Sequence, residues 1–60
     1  MQTVDIQDYA RRLLEAHGLQ AIPEAAQKAA TFEQQGDEQQ AQTWRRIEAA
    51  LMQMRGPHVS

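Results

Sequence analysis

Sixty residues with a formal net charge of −2, acids and bases interspersed, make at most one domain and carry no broad positive footprint for nucleic acid or anionic lipid. Cysteine is absent, which excludes a disulfide scaffold and a thiolate metal cage, and no apolar stretch approaches the roughly 20 residues of a membrane span. A chain this short buries only about 60% of its unfolded surface, and with ten alanines and single Tyr, Phe and Trp residues its core is poor in bulk.

The opening stretch MQTVDIQDYARR has no basic segment leading into an apolar run, so the chain is expected to be soluble and cytoplasmic. In the same segment Ile6, Tyr9, Ala10, Leu13 and Leu14 recur at three- and four-residue steps and predict a helix over 4–17 with one apolar stripe. Thr3 or Asp5 caps its start. Asp8 with Arg12 and Arg11 with Glu15 are spaced as ion pairs worth roughly 0.2 to 0.5 kcal/mol each. Gly18 ends the helix in a left-handed conformation, with Leu19 folding back on the last turn.

Pro23 suits the first turn of a second helix over 22–35, where its missing N–H leaves nothing unpaired. Ala25, Ala26, Ala29 and Phe32 form its inward stripe, with Glu24 and Lys28 paired outside. The helix meets Gly36-Asp37 inside QQGDEQQ. Continuing through Gly36 costs about 1 kcal/mol relative to Ala. As a boundary, Gly36 closes the second helix and Asp37 caps the third, with Gln40 at the capping-box position. A third helix over 38–55 carries Ala41, Trp44, Ile47, Leu51 and Met54, and stops at Gly56-Pro57.

Reversal at Gly36 places Phe32 opposite Ala41, Trp44 opposite Ala29, Ile47 opposite Ala25 and Ala26, and Leu51 opposite Ile22. Large faces small in the first three layers, as dense helix packing requires. The expected fold is all-α: a small bundle of three helices, the last two an antiparallel hairpin. Residues 1–56 make one domain and 57–60 a frayed tail. The first helix folds either on its own hairpin or on a second chain; both arrangements satisfy its stripe.

Ala29, Phe32, Gly36, Asp37 and Ala41 carry the small, aromatic, turn and small positions of the tetratricopeptide hairpin, and residues 25–51 resemble a single copy of that protein-binding repeat. Arg45 and Glu48 depart from it, standing where the repeat has an aromatic and a small residue. Solenoids need about three copies to bury a continuous core, so the likeness implies a shared hairpin solution. Through HG, GD, WRRI and RGP, nearly the whole chain resembles short bacterial helical proteins of unknown function. That resemblance implies no activity.

Nucleophilic catalysis needs a Ser, Cys or Thr beside a base. Ser60 is terminal, and Thr3, Thr31 and Thr43 have no accompanying constellation. His17 sits where a helix dipole favours a cation, and His58 lies in the tail. Asp5, Asp8, Glu33 and Asp37 read as capping or pairing residues, and no glycine cluster cradles phosphate. No residue is assigned to catalysis, to a cofactor or to a metal, and the expectation is a protein that is not an enzyme.

Trp44 beside Arg45 and Arg46, with Arg55 further along, raises a small nucleic-acid-associated regulator as an alternative. Against it, Trp44 belongs to the apolar stripe and Arg45 is spaced to pair with Glu48. Met52 and Met54 widen the apolar arc at the end of the third helix, and thioethers repack readily against varied partners. The leading expectation is a helical protein–protein interaction or self-association module, a homodimer or a binder of another protein, working through Ile6, Tyr9, Leu13, Trp44, Leu51, Met52 and Met54.

Overall fold

The computed structural model describes residues 5–55. Expectations for Thr3, Gly56, Pro57, His58 and the tail fall outside the described residues, as does the side chain of Arg55. Among the described residues the fold is all-α, with no strand. The helical residues form two uninterrupted runs, not three separate helices. The first run joins α1 (Ile6–His17) through a 3-10 turn (Gly18–Gln20) to α2 (Ala21–Gln34), and the second is α3 (Glu38–Arg55).

Asp5 begins α1, its carboxylate accepting from the Gln7 N–H at 3.2 Å. The helix ends at Gly18, whose N–H reaches the Leu14 carbonyl and whose φ of 67° is paired with a ψ of −149°. That is not the left-handed helical cap expected there; it is an extended region open essentially to glycine alone. The chain therefore re-enters helix at once, through a single 3-10 turn. Leu19 does not fold back on α1 and stays 63% exposed. The tight connection also starts α2 one residue early, bringing Ala21 into line with Ala25 and Ala29.

The second junction is built as expected. Gly36 has φ 82°, its N–H donates to the Glu33 carbonyl at 3.1 Å, and the Asp37 N–H donates to Phe32 at 2.9 Å. These two bonds make a Schellman closure that satisfies the last carbonyls of α2. The Asp37 carboxylate then accepts from the Gln40 N–H at 3.2 Å, while its carbonyl receives the Ala41 N–H at 3.0 Å. Because the Asp37 N–H is already committed to Phe32, Gln40 has no donor to reach back to, and the capping box is only half made.

α2 and α3 pack along the hairpin, and α1 lies chiefly on α3 with little contact to α2. Ala10, Ala21, Ala25, Ile47, Ala50 and Leu51 form the buried cluster. Ala29 and Ala41 are buried beside the turn. Ala21, Ala25 and Ala29 stand four residues apart, a ridge of small side chains that lets a facing helix approach closely. Ile47 and Leu51 are the buried side chains larger than alanine among the described residues, and Ile6, Leu13, Leu14, Ile22, Trp44 and Met54 pack partly buried against the cluster. Ala26 and Phe32, expected inside, are only half-buried.

Three stability changes follow, each measurable by denaturant titration. Leu51→Ala should cost about 2 to 5 kcal/mol as a core truncation, and Ala25→Leu about 1 to 3 kcal/mol by forcing α2 from α3. Gly36→Ala should cost about 1 to 2 kcal/mol from its positive φ alone, since an added Cβ would meet no atom within 4 Å.

Candidate interaction surface

Trp44 is half-buried where α1 and α2 both approach α3. The Tyr9 ring of α1 meets its edge, centroids 5.9 Å apart and planes at 71°, a favoured aromatic geometry. The Lys28 ammonium of α2 lies 5.6 Å from the indole centroid, within cation–π range. One α3 side chain thus holds both other helices. Trp44 packs, half-buried, against the core cluster that includes Ala25 of the α2 ridge, and its remaining surface takes Tyr9 and Lys28.

Beside the two rings lies an open depression of about 270 Å³ lined by Tyr9, Gln40, Thr43, Trp44 and Ile47. None of these five residues is charged. The Thr43 hydroxyl is satisfied within its own helix, donating to the Gln39 carbonyl at 3.0 Å. The hollow can therefore accept apolar matter without desolvating an ion.

The seven surface residues expected from the sequence separate. Tyr9 is 38% and Met52 52% exposed, whereas Leu51 is fully buried and belongs to the core of the single chain. Ile6, Leu13, Trp44 and Met54 are half-buried, because α1 docks on α3 of the same chain and covers much of the stripe both share. Leu19, exposed at the 3-10 turn, was not anticipated as surface; its position directly after Gly18 in HGL was the available signal.

The charged residues also find other partners than local spacing suggested. Arg12 pairs with Asp8 at 3.5 Å, as expected. Arg45, however, does not turn to Glu48: its Nε donates to Glu33 Oε2 at 2.9 Å and Nη2 lies 2.8 Å from the same oxygen, tying α3 to α2. Glu24 faces His17 Nδ1 at 3.6 Å and not Lys28, which is drawn to the indole. In each case packing of the helices brings a partner from another element nearer than the residue one turn away. Arg45 and Arg46 thus occupy different surroundings, the first beside Glu33 and the second beside Ile6, Ala49 and Gln53.

Among the described residues no group of three or more His, Cys, Asp or Glu is placed to hold a metal ion, and no helix is long and apolar enough to cross a membrane. Comparisons with protein-family models, with curated proteins and with solved structures found no match.

The Glu33–Arg45 pair is half-exposed on both sides, so a double-mutant cycle with Glu33→Gln and Arg45→Gln should return about 0.2 to 1 kcal/mol of coupling. The coupling should shrink as salt rises from low ionic strength to 1 M, where the screening length falls to about 3 Å. A coupling unchanged by salt would contradict the ion pair.

Proposed function

We propose that the chain is a non-catalytic helical interaction module that works by self-association, its partner a second copy of the same chain. The three α-helical segments act together as one small bundle with an incomplete core. The observation that carries the reading is the imbalance of burial: among the described residues Ile47 and Leu51 are the buried side chains larger than alanine, while Tyr9, Leu19 and Met52 are exposed. Ordering each residue costs about 1.5 kcal/mol, and an alanine core offsets little of that unless more apolar surface is covered. The uncharged lining of the Tyr9–Trp44 depression favours a second copy in particular, since a surface that meets itself across a two-fold axis places like beside like. The working surface comprises Ile6, Tyr9, Leu13, Trp44, Met52 and Met54, while Leu51 supports it from within.

Association coupled to folding makes the melting temperature depend on concentration. Sedimentation equilibrium at high micromolar concentration should give the dimer mass, and the melting temperature should rise with each tenfold increase in protein. A monomer mass with a concentration-independent melt would reject self-association.

The nucleic-acid alternative built on Arg45, Arg46 and Arg55 has weaker support, because Glu33 already occupies the Arg45 guanidinium. Fluorescence anisotropy with labelled single-stranded and duplex oligonucleotides at low salt should register no micromolar binding. Salt-sensitive binding lost in an Arg45→Ala, Arg46→Ala double variant would reverse the ranking, since phosphate contacts release counterions.

A further inference from the structure

We infer that Val4 folds back onto the Tyr9 ring as a hydrophobic staple and covers part of the Tyr9–Trp44 hollow, so that a second copy associating there must displace it. The staple stands on the geometry of α1; the competition rests on the self-association reading and adds its control. The register of α1 names the occupant. Asp5 is the cap residue: its carboxylate accepts from the Gln7 N–H at 3.2 Å, and its carbonyl accepts the Tyr9 N–H at 2.9 Å. Tyr9 is therefore the fourth residue of the helix, and Val4 directly precedes the cap. An apolar residue just ahead of a cap and one at the fourth helical position are the pair that meets across the first turn, fixing the angle at which the chain enters.

Direction, exposure and charge all favour this occupant. Asp5 has φ −76° and ψ 108°, extended and not helical, so the chain breaks from the axis of α1 at the cap. Helical side chains lean toward the helix N-terminus, which tilts the Tyr9 ring toward the incoming chain. Tyr9 meets Trp44 edge-on and is still 38% exposed, leaving ring surface for an apolar contact. The hollow beside it has no charged side chain in its lining, and Gln2, Thr3 and Val4 carry no charge either, so seating Val4 desolvates no ion. Val4 is also one peptide from the cap, about 3.8 Å between Cα atoms. Tethered that closely, it occupies the site at an effective concentration far above that of a free partner in the micromolar range. A second copy offers the larger apolar surface and displaces the valine only as protein concentration rises.

Two measurements separate the staple from the competition. In dilute wild-type protein, nuclear Overhauser spectra should show the Val4 methyl groups against the Tyr9 ring. Their absence overturns the staple, and this readout needs no variant to fold. Val4→Ser removes the apolar contact while leaving Asp5 and the hollow unchanged, and Val4→Ile keeps it. Sedimentation equilibrium should find Val4→Ser dimerising more tightly than wild type by about tenfold for each valine no longer displaced, and Val4→Ile no more tightly than wild type. A Val4→Ser chain that dimerises no more tightly than wild type overturns the competition and leaves self-association standing. Wild-type and Val4→Ser chains that both stay monomeric at high micromolar concentration overturn self-association and the competition with it, while Val4–Tyr9 contacts in the dilute chain still uphold the staple.

Discussion

Close approach of the helices through alanine is the constraint on which the remaining structure depends. Ala21, Ala25 and Ala29 give α2 a smooth ridge, Ala41 and Ala50 are buried on α3, and Ala10 is fully buried on α1. Small side chains bring backbones near, and nearness leaves little room between them for anything larger than Ile47 and Leu51. Larger residues are therefore displaced to the edges: Trp44, Phe32, Leu13 and Leu14 all end half-buried. Each buried alanine removes little apolar area from water, and at roughly 25 cal/mol per Å² the return is small. The same feature that makes the helices fit makes the core weak and the rim sticky.

The two glycine junctions then differ in how firmly they hold. At Gly36 every available device is present: a positive φ, paired closing hydrogen bonds, and the Asp37 cap on α3. The Glu33–Arg45 pair adds a tie across the hairpin. At Gly18 the backbone also turns through positive φ, but α2 begins at Ala21 and its N-cap residue, Gln20, makes no side-chain cap. Local opening takes the weaker junction first, because the free energy of opening follows the contacts and bonds it breaks. α1 is accordingly joined to the hairpin chiefly through α3, whereas α2 and α3 are tied by packing, turn and ion pair together.

Much of this was legible in the sequence, for a physical reason that also marks the boundary of legibility. Helix stripes, the Asp5 and Asp37 caps and the Gly36 turn depend on residues within a few positions of one another, so spacing alone exposes them. What escaped depended on the angle between helices. HGL reads as a terminator followed by a loop, yet Gly18 turned the chain straight into a 3-10 turn, which added Ala21 to the ridge and left Leu19 in solvent. Arg45, Glu24 and Lys28 each had a plausible partner one turn away and took one from a neighbouring helix. Ala50 was not on the expected α3 stripe, yet it is buried in the core cluster. Of the expected surface residues, Tyr9 and Met52 are the most exposed and Leu51 is fully buried.

Trp44 joins the alanine core to both neighbouring helices. Its ring meets Tyr9 of α1 on one side and Lys28 of α2 on another. An α1 that left without replacement would expose the indole, Ile47 and Leu51 together, an apolar patch on a domain with little stability to spare. Any state in which α1 leaves its own hairpin therefore needs a substitute of the same shape and polarity. The alanines that let α1 cross α3 closely also make the seat selective for a helix with a small residue at the crossing.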